Sequence, residues 1–332
     1  MTKRQTAHPS SSARKRAITA AGAGLVLALV LVLVVALKGP DTTRTGMDEA
    51  GQEAEARMEE ESIEAILEST ALRDGYEPAT REQMNDAAHA FQRLLQEGAS
   101  SELVRDLEDL GFSVPGSRKA GGSSPLFVRE APERATGKGF YMIREQGSPV
   151  LVQAPHRYKD AGTGTILARL MEEHDFGAAA WNTAPRWYEG ASGRVDADLA
   201  HIEVSHFNAF TLAFARAYPE GMVVQLHGFA RDKRTTASGR SASIIVSSGT
   251  ERPAGVARAV AECLGSALPA ETVLLYPMQV RELGATTNTN AQALRDIGFD
   301  RFVHIELSRE LRDRLLDDRD LRARFAESIM PC

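Results

Sequence analysis

Beyond residue 124, short apolar runs alternate with longer stretches in which apolar positions recur at helical spacing. The runs predict strands over 126–129, 139–143, 149–154, 177–181, 222–227, 242–247, 272–276 and 301–307. The stretches between them predict helices over 163–174, 207–218, 254–266, 290–297 and 308–328. Strands and helices in alternation build a three-layer α/β sandwich around a mixed, mostly parallel sheet. No internal repeat is visible.

The N-terminal third follows other patterns. From Ala17 to Leu37 no residue is charged, and the run is almost purely aliphatic from Leu25 onward. As a helix it would span roughly 31 Å, about one bilayer hydrocarbon core. Lys3, Arg4, Arg14, Lys15 and Arg16 precede it with no acidic residue among them. Residues 1–16 are therefore expected to stay cytoplasmic, with 17–37 a single-pass anchor in the inner membrane and the rest extracytoplasmic. A cleaved signal peptide is the rival, but its apolar core is usually about 7–15 residues and ends at small residues. Residues 38–47 are a polar connector.

Residues 48–112 read as two or three helices. Their start is strongly acidic, and Thr80 with Gln83 forms a capping-box pattern ahead of Met84, Ala88, Phe91, Leu94 and Leu95. The segment is expected to be a stalk or packing element, with docking of a protein partner as the alternative use. Residues 113–124, rich in Gly and Ser, are a linker, and 125–332 form the domain that carries the chemistry.

Composition narrows the classes. Charged residues make up 25% and apolar ones 43%, as in globular proteins. A net charge of −6 without a basic stripe beyond the apolar segment gives no nucleic-acid footprint. The only cysteines are Cys263 and Cys332, which excludes a thiolate metal site and leaves room for one disulfide.

Three apolar runs end on chemically useful side chains. Val150–Ala154 leads through Pro155 to His156 and Asp160; Met222–Leu226 ends on His227 and Gly228; Phe302–Ile305 ends on Glu306. In open α/β sheets the loops at strand carboxyl ends converge on one crevice. Two histidines and two carboxylates there suit a catalytic zinc, which takes three protein ligands and leaves one position open. Taken singly, each has a plainer explanation: His156 bonding its loop, Asp160 capping a helix, His227 packed in the core. Glu306 resists that treatment, because an unpaired carboxylate in a buried strand costs several kcal/mol.

The ordered set Pro155-His156 with Asp160-x-Gly-Thr163, then Gln225-Leu-His-Gly-Phe229, then Ile305-Glu-Leu-Ser-x-x-Leu-Arg312 resembles the zinc-carboxypeptidase-like superfamily. Within it, the set is most similar to the N-formylglutamate amidohydrolase and poly-γ-glutamate hydrolase branches, over roughly residues 148–312. The resemblance implies a zinc-dependent hydrolase of an amide bond, with His156, Asp160 and His227 as zinc ligands and Glu306 as general base. That group usually supplies glutamate as the carboxylate ligand, so Glu172 and Glu173 stand as alternatives to Asp160.

A developing oxyanion needs a positive partner, and Arg186 in the loop after strand 177–181 is the candidate, with a surface ion pair as its plainer role. Arg309 and Arg312 are candidates for holding a substrate carboxylate, unless Glu310, Asp313 or Asp317 occupies them. His201 and His206 are candidates for steadying a ligand. His174 reads as a helix-end residue, and His304 is expected to face away from Glu306 and serve structure. No Gly-x-Ser-x-Gly elbow supports a serine hydrolase. The rival class is a membrane-tethered binding or assembly protein that keeps this fold without turnover.

Overall fold

A computed structural model describes residues 62–72, 75–115, 124–190 and 193–330. The expected anchor at 17–37, the segments 1–16 and 38–47, the acidic stretch 48–61 and Cys332 lie outside the described residues. No helix among the described residues is long and apolar enough to cross a membrane.

Nine strands form one mixed sheet. In chain order they are β1 (Phe112–Ser113), β2 (Leu126–Glu130), β3 (Phe140–Ile143), β4 (Ser148–Ala154), β5 (Phe176–Trp181), β8 (Met222–Phe229), β9 (Ile244–Ser247), β10 (Val273–Leu275) and β11 (Phe302–Ser308). Their spatial order is β1-β2-β3-β5-β4-β8-β11-β9-β10. The centre, β5-β4-β8-β11, is parallel throughout. Antiparallel pairings flank it on both sides. The remaining strands, β6 (Trp187–Gly190) and β7 (Gly193–Asp196), make a separate hairpin.

The central strands are apolar on both faces because helices cover both. Val150, Val152, Met222, Val224, Leu226, Val303 and Ile305 point into one core. That core is closed by α1 (Ile63–Ser69), α4 (Thr163–Glu173), α7 (Gly255–Ala267), α9 (Arg309–Asp317) and α10 (Arg319–Ser328). The intervening positions Leu151, Val223 and Phe302 point into the other core, under α2 (Arg81–Glu97), α3 (Ser101–Asp109), α5 (His206–Ala217) and α8 (Thr289–Asp296). A short helix, α6 (Ala237–Ser241), follows β8.

Residues 81–109, which the sequence gives as stalk or packing helices, thus complete a layer over the sheet. Phe91 of α2 meets Phe210 of α5 edge-on at 5.1 Å and Tyr141 of β3 at 4.9 Å. The capping box is present, with Thr80 accepting from Gln83 N and Gln83 accepting from Thr80 N. The single helix expected over 308–328 is two. Asp318 ends the first and caps the second by accepting from Leu321 N, so the chain turns without losing its caps.

His206, expected near the site, is instead buried at the start of α5, edge-on to the Phe112 ring at 5.5 Å. Its Nε2 has no hydrogen-bond partner among the described residues. Burial, helped by the positive charge of Lys138, lowers its pKa to about 4. A histidine depressed in the folded state contributes stability above its unfolded pKa and loses it as pH falls. The window here runs from about 6.5 down to about 4. Urea unfolding at pH 7 and pH 5 should show a loss of about 2 kcal/mol that His206→Leu removes. An unchanged acid limb in the variant would reject this.

Candidate metal centre

The parallel centre of the sheet brings the carboxyl ends of β4, β8 and β11 to one edge. The β8–β11 register sets Glu306 directly beside His227 and His304 beside Gln225. The β4–β8 register sets Gln153 beside Gln225. On leaving β4, the chain makes a tight turn in which Asp160 N donates to His156 O at 2.8 Å. That turn folds Asp160 back beside His156.

Three ligand-type atoms converge as a result. His156 Nδ1 and His227 Nδ1 each lie 3.5 Å from Asp160 Oδ2. With metal–ligand bonds of about 2.0–2.1 Å, a tetrahedral ion separates its ligands by about 3.3 Å. His156, Asp160 and His227 could therefore hold an ion with little rearrangement, and all three are buried. The alternatives to Asp160 are engaged elsewhere: Glu172 accepts from Ile63 N, and Glu173 pairs with Arg322 at 2.6 Å.

The far nitrogens of the two imidazoles are occupied, which leaves both Nδ1 atoms for a cation. His156 Nε2 sits 2.6 Å from Asp198 Oδ1. Asp198 is held in turn by Arg186 through its other oxygen, and its own N–H donates to Asp196 Oδ1. His227 Nε2 lies 3.3 Å from Gln225 Oε1, which also accepts from Asn288 Nδ2. Gln225 donates to Gln153 Oε1 and Asn290 Oδ1, so its amide orientation is fixed by a buried network. Such outer partners orient metal-binding histidines and select their tautomer.

The electrostatics favour positive charge between these groups. Burial alone would depress His156, yet Asp160 and Asp198 outweigh it and raise the imidazole to about 9. Burial would likewise raise Asp160, but His156 and His227 hold its carboxyl well below the usual range. Burial lowers His227 despite Asp160 beside it. A divalent cation would take the place of the proton that this hollow attracts.

Glu306 is buried, and its Oε2 has no hydrogen-bond partner among the described residues. Burial and the charge of Asp160 raise its pKa to about 8. His304 lies on the same face, with Nε2 3.7 Å from Glu306 Oε1. This corrects the expectation that it faces away: residues two apart in a strand share a face.

A cleft of about 620 Å³ opens over these residues. Among the described residues, Lys159, Arg186, Lys233, Arg234, Arg309 and Arg312 line it against only Asp160 and Glu306 as acids. Their guanidinium groups differ in freedom. Arg186 is paired with Asp198. Arg312 spends Nε on Ala161 O and Nη1 on Leu307 O. It also fills the space over Gly228, where a Cβ would collide with the guanidinium, so that glycine makes room for a side chain within the protein. Arg309 is exposed and reaches Asp313 only at 4.0 Å. His201 lines the cleft wall with Nδ1 3.1 Å from Thr287 O.

Asp198 and Gln225 are the site residues that sequence reasoning missed. Gln225 had a signal, since it stands two residues before His227 on the same strand face. Asp198 had none, because a loop after the β6–β7 hairpin delivers it.

The sequence matches no family model and none of the curated proteins. Among solved structures, a bacteriophage poly-gamma-glutamate hydrolase is similar at 14% identity and a TM-score of 0.33, over 64% of this chain and 88% of that one. A metallo-carboxypeptidase from Burkholderia cenocepacia is similar at 16% identity and a TM-score of 0.32, over 76% of this chain and 70% of that one. At those TM-scores the case for any chemistry rests on the side chains.

Proposed function

We propose that this chain is a zinc-dependent hydrolase that cleaves an amide bond next to a carboxylate-bearing group. The observation that carries the reading is the convergence of His156 Nδ1, His227 Nδ1 and Asp160 Oδ2, with the orphaned Glu306 carboxyl on the adjoining strand. Three protein ligands, two nitrogen and one oxygen, fit zinc and leave a position open. Held there, zinc supplies Lewis-acid polarisation of the scissile carbonyl and acidifies water.

The chain's own residues do the rest. Neutralising Asp160 removes one of the two causes that raise Glu306, so its carboxylate becomes available as a base. Glu306 takes a proton from the attacking water as the new C–O bond forms. It then gives that proton to the nitrogen as the C–N bond breaks, releasing a carboxylic acid and an amine. Lys159, Lys233 and Arg309, which line the cleft, attract a substrate carboxylate, and Arg186, although paired with Asp198, is the candidate to share the developing negative charge.

The test uses the full chain on N-formylglutamate, a γ-glutamyl peptide and a peptide with a free carboxyl terminus. Cleavage of at least one should stop with a chelator and return with zinc. A zinc-loaded, folded chain that cleaves none of them rejects the reading. Asp198→Ala should weaken zinc binding by roughly 10–100-fold with the fold intact, because His156 loses the partner that fixes its ring. Zinc affinity equal to wild type would remove Asp198 from this role.

A further inference from the structure

Three of the arginines that line the cleft are accounted for: Arg186 pairs with Asp198, Arg312 is turned to backbone carbonyls, and Arg309 is exposed. Arg234 differs from all of them. Its side chain is only 20% exposed, and its Nε is buried without a hydrogen-bond partner among the described residues. Its Nη1 meets Glu282 Oε2 at 3.6 Å, an ion pair too long for a hydrogen bond. The guanidinium is thus restrained at the cleft wall with donors left over. Its charge acts against the raised pKa of Glu306, which lines the same cleft.

The restraint comes from Glu282, on the segment between β10 and α8. Thr235 N donates to both of its oxygens at 3.2 Å, and Thr236 donates to Oε1 through its N–H at 2.8 Å and its hydroxyl at 2.6 Å. These bonds, the Thr236 hydroxyl first, hold the carboxyl at about 2 against burial, so it stays ionised. The carbonyls of Arg234 and Thr235 are held from the other side by Arg240 Nη1, at 3.1 and 2.9 Å. Gly239 makes room, since a Cβ there would lie 2.6 Å from Glu282 Oε1. On the Glu282 side the backbone is also fixed. Leu283 and Ala285 stand at φ +60° and +52°, a conformation that persists only where the surroundings impose it. Between them, Gly284 O accepts from Ser247 Oγ at 3.0 Å. Glu282 therefore joins two rigid walls of the cleft.

We propose that Glu282 is a positioning residue and Arg234 the specificity residue it serves: the clasp fixes the guanidinium in the cleft, where it selects molecules carrying a carboxylate over the same molecules carrying a carboxamide. The inference deepens the hydrolase reading and rests on it for the use of the cleft. An exposed cation such as Arg309 attracts any anion, but it must be ordered before it can discriminate. A guanidinium already held in place gives a carboxylate charge-assisted bonds at little further cost in order. A carboxamide brings one acceptor instead of two, and its NH₂ would face donors.

Calorimetric titration of the zinc-loaded full chain with glutarate, and with its neutral diamide glutaramide, tests this without turnover. Arg234→Ala should weaken glutarate binding by roughly 10–100-fold, the loss of a charge-assisted contact, with glutaramide binding and zinc content unchanged. Glu282→Ala should weaken glutarate by roughly 10-fold on the same basis. Combined with Arg234→Ala it should add nothing further, because one side chain acts through the other. Should Glu282→Ala not fold, Glu282→Gln keeps an acceptor for Thr236 but loses the charge, and it should show the same direction and the same lack of addition. Equal glutarate binding by wild type and Arg234→Ala overturns the specificity role. Losses that add assign Glu282 to the loop at large and overturn the positioning role. Either failure, with amide cleavage intact, leaves the proposed function standing; the expected binding in a chain that cleaves nothing sinks that reading alone.

Discussion

Glu306→Gln is expected to keep the fold and the metal equivalent while cutting turnover by roughly 10²–10⁴-fold, the usual contribution of a positioned proton-transfer group. The amide matches the carboxylate in size and is better suited to burial. Glu306 lies beside His304, and Arg312 keeps its hydrogen bonds to backbone carbonyls without it. Removing a buried carboxyl with an unpartnered oxygen should therefore leave stability unchanged or raise it slightly. The discriminating measurement pairs kcat with zinc content and thermal midpoint on the same preparation. Activity lost together with metal or fold would assign Glu306 to structure. Activity retained with zinc bound would take the base role from it.

The strands were legible because both faces of the sheet are covered. Runs such as Val150–Ala154 and Phe302–Leu307 are apolar at nearly every position, and the polar exceptions Gln153, His227, His304 and Glu306 stand out against them. The β6–β7 hairpin was not legible, since Trp187–Gly190 and Gly193–Asp196 contribute no buried position to the core. The break at Asp318 was missed for another reason. Both helices share one apolar stripe through Leu311, Leu315, Leu321 and Phe325, and only the capping role of Asp318 separates them.

The site divides in the same way. His156 and Asp160 follow the end of β4, and His227 and Glu306 lie near the carboxyl ends of β8 and β11, where sequence position and spatial position nearly coincide. Asp198 sits 42 residues from the histidine it holds, and the connection runs through a hairpin whose two ends carry Arg186 and Asp198. No spacing rule reaches that far. The misplacement of His304 was a parity error, which the register of β11 against β8 corrects. Arg312 was legible as a cation near the site, but not as one whose donors are turned toward backbone carbonyls.

His227→Ala and Asp160→Ala should abolish stoichiometric zinc, with apparent affinity falling by more than about 100-fold, beyond the effect of losing an outer partner. Their costs to the fold should differ. Truncating His227 opens a cavity between the two histidine rings that flank it, at centroid distances of 4.8 and 4.5 Å. Gln225 Oε1 keeps Asn288 as a donor, so no polar group is orphaned there. Asp160→Ala removes the charge that His156 and His227 share, leaving His156 with Asp198 alone. The electrostatic hollow is then weakened, because Asp198 alone remains to raise His156. Zinc titration of both variants, beside circular dichroism to verify the fold, separates the two outcomes. If either folded variant retains zinc as tightly as wild type, the ion sits elsewhere, and His156, Asp160 and His227 are a buried ion-pair cluster instead.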